Sequence, residues 1–84
     1  MTFTVIWIPA AEDALSALWT AGPDRSSISA AADRIDRLLR HDPQLLGVPL
    51  FDTVRGLAIA PLAVEFETLE QDRLVYVLSV FRTS

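Results

Sequence analysis

The sequence predicts an α+β domain: a small, mostly antiparallel sheet packed on one face by an N-terminal helical hairpin, in the order β-α-α-β-β-β. Three observations lead there. Residues 61–68 alternate, with Leu62, Val64 and Phe66 on one side and Ala63, Glu65 and Glu67 on the other, which makes a strand with one face left to solvent or a partner. Ile28, Ala31, Ala32, Ile35, Leu38 and Leu39 recur every three or four residues, which makes a helix with a single apolar stripe. The Gly22-Pro23 link before that helix is so short that the helix preceding it must fold back as a hairpin.

The elements follow in chain order. Residues 3–8 alternate Phe3, Val5 and Trp7 against Thr4, Ile6 and Ile8 and read as a strand. Pro9 suits the first turn of a helix, where its missing N–H costs nothing. Ala11, Ala14, Leu15, Leu18 and Trp19 carry that helix to Thr20, with Glu12 and Asp13 at its positive end. Gly22 and Pro23 stop it. The second helix is capped somewhere in residues 24–27 and stopped by Asp42-Pro43. Its outer face pairs Asp33 with Arg37 and Asp36 with Arg40, acid first, at i,i+4. Residues 45–53, interrupted by Gly47 and Pro49, are a loop or a short edge strand near Leu50-Phe51. Residues 54–60 form a strand with Gly56 at a bulge. Pro61 marks a corner, residues 70–72 a turn, and residues 73–82 the last strand. That strand is apolar on both faces from Leu74 to Val80, which predicts a central, covered position. Trp7 and Trp19 are expected in the core.

Composition narrows the function. Eighty-four residues make one domain, 1–84, burying about 60–65% of its unfolded surface. At 51% hydrophobic, the chain has apolar surface for a core or for a face that needs a partner. No apolar run nears the roughly 18 residues of a membrane span, and Met1-Thr2-Phe3-Thr4-Val5 is no charged leader, so a cytoplasmic protein without membrane contact is expected. There is no cysteine and one histidine, His41, so neither a metal nor a cofactor is expected. Seven arginines and no lysine stand against eleven acids, a net charge of −4 that opposes non-specific binding of a polyanion.

Several phrases together resemble the RelE/ParE superfamily of type II toxin–antitoxin (plasmid-stabilisation) toxins. Trp7-Ile8-Pro9-Ala10-Ala11-Glu12-Asp13-Ala14-Leu15 resembles its strand-to-helix opening. Residues 32–43, ending in Asp42-Pro43, resemble its second helix. Val54-Arg55-Gly56-Leu57 resembles the start of its middle strands, and residues 73–82 its last strand with a basic end. The resemblance spans nearly the whole chain, and the order of the phrases carries it rather than any one of them. It implies a toxin-like protein bound by a cognate antitoxin. The ribosome-dependent ribonucleases of the superfamily carry a basic set and a late Tyr or His on the exposed strand face. Here Ala63 stands where an arginine is expected, Glu65 and Glu67 follow it, and only Arg82, Thr83 and Ser84 come after Phe81. The resemblance therefore favours protein binding, with DNA gyrase as a target, over catalysis.

The candidate residues divide accordingly. For a metal-independent mRNA ribonuclease on the ribosome, Arg55 and Arg82 would hold the phosphate, and Tyr76 or His41 would move a proton. For a protein-binding toxin, Glu65, Glu67 and Arg82 would face the partner, with basic antitoxin residues expected against Glu65, Glu67 and Asp72. An antitoxin helix would cover the hairpin or the sheet face, and an extended segment would pair with a free sheet edge. Arg34, Arg37 and Arg40 read as a solvated helix face. An inactive relative forming a homodimer is the remaining reading.

Overall fold

In the computed structural model, which describes residues 2–83, the chain runs β1 (Thr4–Trp7), α1 (Pro9–Ala21), α2 (Arg25–Leu39), a 3-10 turn (Pro43–Leu45), β2 (Val48–Phe51), β3 (Val54–Ile59), β4 (Leu62–Leu69) and β5 (Leu74–Arg82). The five strands form one sheet in the order β1-β5-β4-β3-β2, with β1 parallel to β5 and every other pair antiparallel. This is the expected α+β architecture with one strand more. β2 settles the open reading of residues 45–53 as an edge strand, all four of its residues exposed.

The alternation in β4 sets the layers. Leu62, Val64 and Phe66 are fully buried under the helices, together with Val75, Val77 and Val80 of β5. Ile28, Ala31, Ile35 and Leu39 press the stripe of α2 into the same core, and Ala11 does so from α1. Trp19 departs from expectation and is 41% exposed. It lies off the sheet beside α2, where Ser29 accepts its indole N–H at 3.1 Å and the Arg25 guanidinium sits 4.5 Å from the ring centroid. The last strand also differs. β5 has a neighbour on each side, but no element among the described residues covers its second face, so Tyr76 and Ser79 are only half-buried.

Two local features contradict the sequence reading. Gly56 pairs regularly with Glu65, while the register slips between Pro49 and Phe51 in β2 and opposite Glu65–Phe66, where Leu78 is the extra residue in β5. Asp36 and Arg40 form their ion pair at 2.7 Å, but Asp33 and Arg37 form none; the two side chains line different grooves. Among the described residues no helix is long and apolar enough to cross a membrane.

The turn before β2 depends on Gly47. Its φ is +63°, and a Cβ there would fall on the Gly56 carbonyl oxygen. Arg55 holds the same turn, its Nε–H donating to the Leu46 carbonyl at 2.8 Å and its Nη2 to the Gly47 carbonyl at 3.3 Å. Gly47→Ala should therefore cost about 1–3 kcal/mol, because left-handed backbone and a backbone clash coincide. Urea unfolding measures this, and an unchanged midpoint would mean that the turn does not approach β3 as described.

Candidate functional site

Paired residues in neighbouring strands share a face of the sheet. Four rows therefore make up the face opposite the helices. One crosses all five strands as Phe51, Val54, Glu67, Tyr76 and Ile6; to one side of it lie Val48, Gly56, Glu65 and Ser79, then Ala58, Ala63 and Phe81, and to the other side Leu69, Leu74 and Thr4. Among the described strand residues this face carries two carboxylates, one phenol and no arginine. Both acids are engaged within the chain: Ser79 donates its hydroxyl to Glu65 at 2.7 Å, and Thr53 donates to Glu67. Ile6, Phe81, Phe51 and Val48 are exposed along it.

Of the four residues considered for catalysis, Arg55, Arg82 and Tyr76 do not converge. Tyr76 is on this open face beside Glu67. Arg55 aligns with Phe66 on the opposite side of the sheet, where it binds the turn before β2. Arg82 aligns with Leu62, also on the helix side, but four residues further along β4 and on the other side of it, so the two positions lie about 13 Å apart along the strands and about 10 Å apart across them. Arg55 forms no ion pair with Asp52 or Asp72 among the described residues. His41 lies beyond the end of α2, in a groove with Arg34 and Arg37.

Arg82 binds Asp24 bidentately, Nη1 to Oδ2 at 3.0 Å and Nη2 to Oδ1 at 2.9 Å, tying the end of β5 to the start of α2. Gly22 makes room for the pair: a Cβ there would stand 2.7 Å from both Nη2 and Oδ1. The hydrogen bond from Arg82 holds the Asp24 carboxyl below the usual carboxylate range, and the same bond raises Arg82. An acid with a folded pKa below its unfolded value stabilises the fold above the unfolded pKa, and that stability is lost as pH falls through the folded one. The pair's contribution should thus fade from about pH 4 downward. Asp24→Asn should flatten this part of the stability curve in urea titrations from pH 7 to 3; a variant with the parent's pH dependence would assign the acid sensitivity to other carboxylates.

A concave surface lies between β1 and the hairpin. One groove of about 560 Å³ is lined by Val5, Trp7, Glu12, Leu15 and Asp36, among others. A second of about 510 Å³ reaches Trp19, and the two share Leu15, Ser16, Ala32 and Asp33. The floor is apolar and the rim is acidic. The Trp7 indole N–H donates to Asp36 Oδ1 at 3.1 Å, and Arg40 holds the other Asp36 oxygen, whereas Glu12 and Asp33 have no partner among the described residues. One wall is the outer edge of the sheet. The Phe3 amide donates outward to the Arg40 carbonyl, while Thr4 and Ile8 donate inward to Arg73 and Val77. Strand alternation then turns the amides and carbonyls of Val5 and Trp7 to the free edge. The sequence flagged Asp33 and Asp36 only as helix-surface acids. The signal for the groove was the small pair Ser16 and Ala32 on facing helices, which leaves a channel between them.

No family model matches the sequence, and no curated protein matches it. Solved structures do. The chain is similar to a chain of the RelBE2 toxin–antitoxin complex from Mycobacterium tuberculosis, with 18% identity, a TM-score of 0.80, and coverage of 98% of this chain and 92% of that one. It is also similar to a chain of the chromosomal ParDE toxin–antitoxin system from P. aeruginosa, with 17% identity, a TM-score of 0.74, and coverage of 99% and 98%. The chain shares the fold of these toxin–antitoxin chains over 98–99% of its length, and at these identities the likeness is one of fold.

Proposed function

We propose that this chain is the toxin-like component of a type II toxin–antitoxin module and acts by binding proteins: a cognate antitoxin, and DNA gyrase as its target. The observation that carries the proposal is the groove along β1. It offers an apolar floor, suited to the apolar face of an amphipathic helix, beside an unpaired strand edge, and helix-in-groove docking and strand addition are two modes by which peptides bind folded domains. Its Glu12 and Asp33 call for basic residues on the occupant. The antitoxin's cations thus meet the hairpin rather than Glu65 and Glu67, whose oxygens already accept hydrogen bonds within the chain. The fold shared with chains of two toxin–antitoxin systems adds support.

The separation of Arg55, Arg82 and Tyr76 weighs against the ribonuclease reading. Phosphate stabilisation and proton transfer need their groups within hydrogen-bond reach of one reacting centre. Expression alone should arrest bacterial growth without mRNA cleavage on the ribosome, and co-expression with the product of the adjacent reading frame should relieve the arrest. A monomer that ignores that product, in cells that grow normally, would overturn the proposal.

A further inference from the structure

Five of the seven arginines are engaged within the fold. Arg25 binds Trp19, Arg40 pairs with Asp36, Arg55 binds the turn before β2, Arg73 stands 5.4 Å from the Phe3 ring centroid, and Arg82 pairs with Asp24. Arg34 and Arg37 are the other two, and neither has an ion-pair or hydrogen-bond partner among the described residues. Both line one groove of about 360 Å³ with His41, over a floor made by Leu38 and Leu46. Their three-residue spacing puts them on one flank of α2. Asp33 and Asp36 line the other groove, so one helix separates an acid-rimmed channel from a base-rimmed one. The helix dipole accounts for a cation at the last turn, Arg37, but not for Arg34 or for the apolar floor.

We infer that this groove is a second docking site, separate from the channel beside β1, and that it takes a short acidic protein segment. One apolar side chain of the segment sits on Leu38 and Leu46, and flanking carboxylates meet the two guanidiniums. A guanidinium is a planar fork that matches a carboxylate, and such charge-assisted pairs are the stronger hydrogen bonds. Charge also argues for a short peptide over a nucleic-acid strand. The whole chain is net −4, so a polyanion reaching beyond the groove meets a repulsive field, while a segment of a few residues meets only the local cations. The site does not depend on the toxin reading and would stand if that reading failed.

Fluorescence polarisation on the full chain tests it with three labelled probes: a short peptide alternating Glu and Leu, the same peptide with Gln for each Glu, and an oligouridylate of equal charge. The acidic peptide should bind saturably, and the Gln peptide and the oligonucleotide at least tenfold more weakly. Arg34→Glu with Arg37→Glu should weaken the acidic peptide at least tenfold, with circular dichroism unchanged because both side chains are exposed. If that double variant fails to fold, Arg34→Gln with Arg37→Gln serves in its place. Equal binding of the two peptides, retained binding by the variant, or no saturable binding would overturn the inference. So would preference for the oligonucleotide, which would mark a nucleic-acid site instead.

Discussion

Phe66→Ala should leave the domain barely folded at room temperature. Phe66 is fully buried at the middle of β4, flanked by Arg55 of β3 and Val77 of β5 and roofed by the helices. Truncating a buried Phe costs about 3–5 kcal/mol, through lost transfer energy and the cavity left behind. An 84-residue domain has a total stability of about 4–13 kcal/mol at typical per-residue values. The loss is thus a large share of the whole, and the thermal midpoint should fall by at least about 15 °C. Phe51→Ala is the contrast: 58% exposed on β2, it should change stability by no more than about 0.5 kcal/mol. Thermal and urea unfolding by circular dichroism measure both. A cost below about 1 kcal/mol at Phe66 would mean that β4 is not the centre of the core.

The residues most legible in the sequence are those that such a truncation would hurt most. Leu62, Val64 and Phe66 announce their face by alternation, and Ile28, Ala31, Ile35 and Leu39 by helical spacing, because burial on one side imposes the period of the element. β2 has no such period. Val48, Pro49, Leu50 and Phe51 are all exposed, so nothing selects a face, and it is a strand only because β3 offers an edge. The bulge at Leu78 was invisible for a similar reason: register slips belong to a pair of strands, and Gly56 alone could not locate one. Arg55 could have been placed better. It is in phase with Leu57 and Ile59, which pack toward the core, so parity already put it on the helix side. Arg82 and Asp24 are 58 positions apart, and their pairing follows from the hairpin lying over the end of β5. The groove beside β1 draws its walls from three elements, and no single stretch of sequence displays it.

That groove gives the largest expected effect on binding. Ala32 is half-buried on α2 and lines both halves of the channel. Replacing it with Arg puts a long cationic side chain across the floor, opposite an occupant argued to be basic itself. The loss combines a steric clash with like-charge contact, and for a central position in an interface it should reach a hundredfold, on the order of 3 kcal/mol. The fold should survive, because an arginine stem lies along apolar surface while its head stays in water. Titration with the product of the adjacent reading frame measures the affinity, and a growth assay should show arrest that this product no longer relieves. Ala58→Arg supplies the opposing arm. Ala58 is exposed on the open sheet face, in the row of Ala63 and Phe81, and its replacement should leave the affinity within about threefold. That limit is about 0.7 kcal/mol. One variant tests the channel between β1 and the hairpin, and the other tests the open sheet face. If Ala58→Arg abolished binding and Ala32→Arg did not, the antitoxin would cover the face of Glu65 and Glu67, and the channel beside β1 would lose its assignment.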